Sequence, residues 1–300
     1  MPGLPSQARQ AISRLPFVGP KRPLINVIDL NGPIGAASRG RGLSFARVRP
    51  LIESAFKPSG LTAVALSINS PGGSPVQSRL IFAAIRRAAE KKKVPVLAFI
   101  EDVGASGGYI LALAADEIIA DESSIVGSIG VISAGFGFAA AIARIGIERR
   151  VHTAGAAKSQ LDPFVAEDPE DVARLEAILS DLHEQFIDLV KERRGDRLDG
   201  SFEDTFTGAF WTASDARTRG LVDETGRLDD FLKTRFGEKA RIKRLSPRGS
   251  PLLRALGGAG AAAIGRPAPV VAIDAGAIDV GAAIDALEER ALWGRFGLGG

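Results

Sequence analysis

Val94-Pro95-Val96-Leu97-Ala98-Phe99-Ile100-Glu101-Asp102-Val103-Gly104-Ala105-Ser106-Gly107-Gly108-Tyr109 is the stretch on which the reading of the fold turns. Its first part, Val94 to Ile100, is an apolar run of strand length. Tyr109 to Ala115 reads as a helix, and Val103 to Gly108 is a turn of small residues between the two. Ser106 stands where the helix begins. Backbone N–H groups lack partners there, and the helix dipole favours negative charge. Two readings of Ser106 follow: a plain N-cap serine, or an oxygen nucleophile.

The same pattern extends to both sides. Leu24 to Leu30 and Leu61 to Ile68 read as buried strands, rich in Val, Ile and Leu. Between them, Phe45, Val48, Leu51, Ile52 and Ala55 share one face of a helix over 44–57. Asn69-Ser70-Pro71-Gly72-Gly73-Ser74 turns from the second strand into a helix ending near Lys93. Downstream come a strand at Glu117 to Ala120, a helix over 136–145 and a strand at Glu148 to Thr153. Asp168-Pro169 opens the longest helix, an N-cap followed by proline at the first helical position. It stops at Gly195. Helices at Thr212 to Arg219 and Leu228 to Phe236 and a strand at Arg241 to Leu245 close the pattern. Such alternation predicts an α/β fold with a largely parallel sheet and flanking helices. The expected organisation is a flexible proline-spaced leader over 1–22, one main domain over 23–245, and a Gly/Ala/Pro-rich tail over 246–300. The tail's apolar islands suit a partner subunit or a membrane surface.

Composition excludes several chemistries. There is no cysteine among the 300 residues, which removes disulfides, thiol catalysis and cysteine metal sites. With two histidines, a histidine-rich metal site is not expected. Lysine and arginine number 38 against 35 acidic residues, and the basic clusters are scattered without interleaved aromatics, so nucleic acid is not expected as a partner. Pro2, Pro5, Pro16 and Pro20 break up any secretory apolar region, and no run of eighteen apolar residues occurs. The expected location is cytoplasmic, with association with the inner membrane left open.

In a parallel sheet, ligands bind at the carboxyl ends of the strands. Three loops lie there: Asn69 to Ser74, Glu101 to Gly108 and Thr153 to Glu167. The Gly72-Gly73 pair reads either as an oxyanion hole or as an ordinary β–α turn with a glycine hinge. A phosphate loop lacks its Gly-Lys-Ser/Thr ending. A serine nucleophile needs a base. His183 lies within the longest helix, and His152 has no acidic neighbour to orient it. Lys158 is the alternative. A lysine serves as a base when desolvation depresses its pKa, and Gly155, Ala156, Ala157, Leu161, Pro163 and Phe164 surround it. A solvated loop lysine is the plainer reading. Ser123, Ser124 and Ser128 are candidates to orient it.

Taken together, these segments resemble the signal peptide peptidase A family of serine peptidases (the SppA and SohB type), whose fold is related to ClpP and crotonase. The resemblance lies in Asn31-Gly32-Pro33-Ile34, Ile68-Asn69-Ser70-Pro71-Gly72-Gly73, Ala105-Ser106-Gly107-Gly108-Tyr109, Gly127-Ser128-Ile129-Gly130-Val131-Ile132 and the loop with Lys158. The closing segment Ala213 to Asp223 is also similar, and the likeness spans about 22–236. It implies a ClpP/crotonase-like fold and a Ser/Lys dyad endopeptidase acting on signal-peptide-like or unfolded peptides. Ser106 would be the nucleophile and Lys158 the general base, held in place by Ser128. The backbone of Gly73, with Gly72 or Gly107, would form the oxyanion hole. No cofactor or metal is implied. A homo-oligomer is implied, in which the lysine can come from a neighbouring protomer. Ser159 to Pro163 departs from the family's Lys-Asp-x-Gly. Two rivals stand beside this reading: a crotonase-type acyl-CoA enzyme using carboxylate bases, and a non-catalytic scaffold.

Overall fold

The computed structural model describes residues 22–35, 42–155, 157–246 and 290–296. The expected leader lies outside these residues apart from Arg22, and so does most of the expected tail. The first half of the chain runs β1 (Leu24–Asn31), α1 (Phe45–Ala55), β2 (Leu61–Ser70), α2 (Pro75–Lys92), β3 (Val96–Ala105) and α3 (Gly107–Ala112). The second half runs β4 (Glu117–Ala120), β5 (Ile125–Gly127), α4 (Ala139–Arg144), α5 (Pro169–Arg194), β6 (Phe210–Thr212), α6 (Ala213–Thr218), β7 (Glu224–Thr225), α7 (Leu228–Phe236) and β8 (Arg241–Leu245).

Strands β8, β1, β2 and β3 lie side by side and are all parallel, as the alternating sequence predicts. Side chains alternate across such a sheet. Ile25, Val27, Ala63, Ala65, Leu97 and Phe99 face one side, where Leu228 and Leu232 of α7 cover them. Ile28, Leu30, Leu66, Ile68, Ala98 and Ile100 belong to the opposite core, which Ile52 of α1, Ile81 and Ile85 of α2 and Phe186 of α5 complete. Burial on both faces explains why these strands read as continuous apolar runs. Helix ends follow their local chemistry. The Asp168 carboxylate accepts from the Glu170 amide at 2.8 Å ahead of Pro169, and Gly195 ends α5 at a φ of 52°.

Three departures from the sequence reading have physical causes. The strand expected to stop at Ile100 continues to Ala105, because it has different partners along its length. Leu97–Ile100 pair with β4, while Val103–Ala105 pair with β5. Next, Glu148 to Thr153 is not a strand. It is exposed, and among the described residues it has no neighbouring strand to complete its hydrogen bonds. Last, the short strands β5, β6 and β7 have no apolar alternation long enough to register as a pattern. Yet β5 joins β6 in the sheet's one antiparallel pairing, and β7 extends β4.

Residues from Val131 to Gln185 form an arm. None of the described residues in that stretch is buried. Phe136, with 81% of its surface exposed, and Ile145, with 71%, are apolar side chains open to solvent. The arm has contacts of its own. Phe138 stacks on Phe164 at 5.6 Å, the Phe138 amide donates to the Pro163 carbonyl at 2.6 Å, and Arg149 pairs with Asp162 at 3.0 Å.

The end of α5 is fixed to the body by a paired charge. Arg194 is buried and makes two bonds to the Asp223 carboxylate, at 2.9 and 2.8 Å, while its Nε donates to the Gly220 carbonyl. Burial raises the Asp223 carboxyl. The Arg194 hydrogen bonds, the Ile118 amide and the charges of Arg194 and Arg197 outweigh it and hold the group below the usual range. A carboxylate held low contributes stability that is present above its unfolded value, near 3.9, and is lost as pH falls through its folded value. Asp223→Asn, which leaves Arg194 buried without a counter-charge, should lower stability by on the order of 2–3 kcal/mol at pH 7 in denaturant titrations. That difference from wild type should shrink steadily below about pH 4.

Candidate active site

Ser106 sits at the point where β3 becomes α3. Its amide donates to the Gly127 carbonyl at 2.8 Å, so the last bond of the β3–β5 pairing holds the residue. Its own carbonyl accepts from Tyr109 and Ile110, which starts the helix. The backbone is at φ 53° and ψ −122°, an uncommon conformation for a residue with a side chain and one that costs energy. By position Ser106 is the N-cap, but its side chain makes no capping hydrogen bond. A serine held on a sharp, strained strand-to-helix turn with its hydroxyl uncommitted presents that hydroxyl to solvent and ligand.

The glycine loop comes in from β2. Asn69 ties the strand ends together: its Nδ2 donates to Asp102 at 2.6 Å and its Oδ1 accepts from the Val103 amide at 3.3 Å. The loop is then clamped to the residues after β1. The Ile34 amide donates to the Gly72 carbonyl at 2.7 Å, and the Ser74 amide donates to the Ile34 carbonyl at 2.6 Å. These bonds turn the Gly73 N–H the other way. A Cβ placed on Gly107 would lie 3.3 Å from Gly73 N, so the two amides are neighbours. Neither has an acceptor among the described residues. Gly72 differs from its sequence reading. Its N–H is donated to Ser70 Oγ at 3.3 Å, and its part in the site is the side chain it lacks. A Cβ there would stand 2.8 Å from both Ser106 Cβ and Gly107 N.

A cleft of about 510 Å³ opens over these groups, and Ser106, Gly73, Gly107 and Ser128 all line it. Ser128 is buried at φ 53°, with its amide bonded to the Ala209 carbonyl at 2.7 Å. Lys158 does not line the cleft. It lies on an exposed turn of the arm, its amide bonded to the Gly155 carbonyl at 3.2 Å. The small and apolar residues around it in sequence do not enclose it within one chain. His152 is likewise exposed on the arm.

Sequence reasoning weighed one residue of the cleft as a base and set it aside, and passed over another component. His183 lines it, with Nε2 3.0 Å from the Ile129 carbonyl. Its position between Leu182 and Phe186, on the inward stripe of α5, is the signal that could have found it. The other component is the segment at 290–296, helical over 290–294, which adds Leu292 and Arg295 to the lining. Nothing in its local pattern announces this. Tyr109, just past the turn, anchors α3: its buried phenol donates to the Leu221 carbonyl at 2.8 Å, and burial pushes the phenol far above its ordinary value, keeping it a donor. Among the described residues, no group of acidic and histidine side chains is arranged to hold a metal ion.

The description "Peptidase family S49" matches residues 88–241. Over 284 residues the chain is 47% identical to part of a Brucella abortus protein named Na(+)/H(+) antiporter NhaA, covering 91% of this chain and 37% of that protein. The chloroplastic serine protease SPPA of Arabidopsis thaliana is 30% identical over 80% of this chain and 36% of its own length. The chain thus spans a little over a third of these relatives. No helix among the described residues is long and apolar enough to cross a membrane. Of solved structures, the 1510-N membrane protease specific for a stomatin homolog from Pyrococcus horikoshii aligns at 13% identity and a TM-score of 0.47. The alignment covers 79% of this chain and 99% of that one. At that score the likeness adds nothing to the topology described above.

Gly72→Ala tests the geometry of the turn. The added methyl meets Ser106 and Gly107, at a φ of 101° that side chains rarely adopt. Displacing reacting groups by about 1 Å costs roughly 100-fold in rate, so any turnover that uses Ser106 should fall by about that factor. The conservative Ser70→Ala, which removes only the acceptor of the Gly72 amide, should cost less than the glycine change.

Proposed function

The chain belongs to peptidase family S49, and on that premise we propose that it is a serine endopeptidase with Ser106 as nucleophile and Lys158 as general base. The observation that carries this reading is the uncommitted Ser106 hydroxyl on a strained turn, next to two amides, Gly73 and Gly107, that have no acceptor. Those amides suit the negative charge that develops on a peptide oxygen when it is attacked. Ser106 Oγ adds to the scissile carbonyl as Lys158 Nζ takes its proton. The lysine gives that proton to the leaving amine, and an acyl-enzyme remains. Water activated by the same amine then releases the acyl group. Ser128, beside Ser106 in the cleft, orients the lysine.

Within one chain Lys158 is exposed and outside the cleft, so in this reading it reaches Ser106 from a neighbouring copy. The arm supports that assembly: it carries Lys158, buries nothing on its own body and exposes a row of apolar side chains. Association would give the lysine the shielding that a base role requires. The substrates in this reading are unfolded or signal-peptide-like segments, and the location is cytoplasmic. The crotonase-type alternative is weakened by the cleft itself, which no Asp or Glu side chain lines. One observation favours a second reading, with His183 as the base: it shares the cleft with Ser106, whereas Lys158 does not.

Fluorogenic peptide turnover by single variants and by a mixture separates these readings. Ser106→Ala and Lys158→Ala should each lose about 1,000-fold or more, and His183→Gln should retain most activity. Mixing the Ser106→Ala and Lys158→Ala proteins should restore part of the turnover, because each supplies the group the other lacks. Full activity in Lys158→Ala with loss in His183→Gln would replace the lysine by the histidine.

A further inference from the structure

The ionisable side chains that line the cleft are Arg79, His183 and Arg295. Among the described residues no carboxylate stands with them, although acidic and basic residues are nearly balanced over the whole chain, 35 against 38. The two arginines are also unusual in their partners. Across the body, arginines typically hold a carboxylate: Arg86 with Asp116, Arg194 with Asp223, Arg219 with Asp204, Arg227 with Asp121 and Arg235 with Glu117. Among the described residues neither Arg79 nor Arg295 has an ion pair. Arg79 Nη1 makes one bond, to the Gln185 carbonyl at 3.3 Å, and the Arg295 side chain makes none.

Both arginines are exposed at the cleft, and the backbone that carries each is tied to the fold. Arg79 lies on α2, directly after the glycine loop. Arg295 is placed by its neighbour Phe296, which is buried against Val103 and Ala105 of the strand that delivers Ser106 and meets the Phe210 ring edge-on at 5.2 Å. The rest of the lining is largely apolar, with Ile110, Leu182 and Phe186 beside Ser106. A cleft with apolar walls and cations of one sign focuses the field on an anionic ligand, and a guanidinium fork matches a carboxylate in shape.

We infer that this cleft selects peptides that carry a carboxylate within a few residues of the bond held at Ser106, with Arg79 and Arg295 as the residues that recognise it. This deepens, and rests on, the peptide-cleaving role proposed above. The carboxylate has two sources, an acidic side chain or the free C-terminal end of the peptide. Apolar side chains of the same peptide occupy the space around Ile110 and Phe186.

The test reads binding rather than turnover, so that it does not depend on the identity of the base. Full-length Ser106→Ala protein is titrated against fluorescein-labelled decapeptides of alanine and leucine by fluorescence anisotropy. One pair carries a central Glu or Gln, both amidated at the C-terminus. A second pair carries the central Gln with a free or an amidated C-terminus. In at least one pair the peptide with the carboxylate should bind roughly 5- to 10-fold more tightly, and the pair that responds identifies the source. The preference should fall below about 2-fold in 1 M salt and vanish in Arg79→Gln/Arg295→Gln. Arg87→Gln, on the same helix with its Nε bonded to the Ala83 carbonyl, should keep it. Equal affinity within both pairs, or a preference that survives the double substitution, would overturn the inference. Equal affinity with intact wild-type turnover removes this inference alone. A clear preference in a protein that turns over no peptide sustains it and removes the peptidase reading instead.

Discussion

The hydrogen bond from the Ser106 amide to the Gly127 carbonyl is the constraint on which the site depends. It exists because β3 changes partners partway along, from β4 to β5. A strand paired uniformly with one neighbour would carry its last residue straight into the next loop. Here the second pairing holds Ser106 back while α3 begins immediately after it. The positive φ at Ser106 is the local result, and the rest of the structure sustains it. β5 is itself held by β6, and Tyr109 ties α3 to the Leu221 carbonyl. The glycine loop is positioned by an independent clamp, the two bonds at Ile34. Ser106 and the Gly73 and Gly107 amides thus line one cleft, each on its own support.

The parts of this arrangement that were legible in the sequence are those with local signatures. The parallel core was readable because strands buried on both faces are rich in apolar residues, as the run Ala63 to Leu66 is. The Ser106 turn and the Gly72-Gly73 pair were readable because backbone crowding admits only small residues there: a Cβ on Gly108 would come 2.4 Å from the Ser70 carbonyl. β5 and β6, three residues each, were invisible, because their partners and not their propensities make them strands. The role of Gly72 was misread for a related reason. Glycine composition says where the backbone comes close, and only the bond to Ser70 Oγ says which N–H is free. Arg295 in the cleft was beyond sequence reasoning, since its placement comes from the seat of Phe296 among residues far away in the chain.

The arm is the part of the chain in which local pattern and tertiary context disagree most. Ile147, Val151, Leu161 and Val165 are apolar, and all are exposed. Glu148 to Thr153 has the composition of a strand and no ladder to join. Apolar surface of this kind is costly in a monomer. It is concentrated on the segment that carries Lys158. Whatever covers the arm also fixes where that lysine goes.

The seat of Phe296 beside Val103 and Ala105 has a consequence in time. Protein synthesis proceeds from the N-terminus, and domains fold as their sequence becomes available. β1 to β3, the glycine loop and Ser106 are all translated long before the segment that brings Leu292 and Arg295 to the cleft. A growing chain therefore passes through a stage in which Ser106 is in place beside an open groove. The two arginines of the cleft thus arrive at different times, Arg79 with the glycine loop and Arg295 only when the far segment docks.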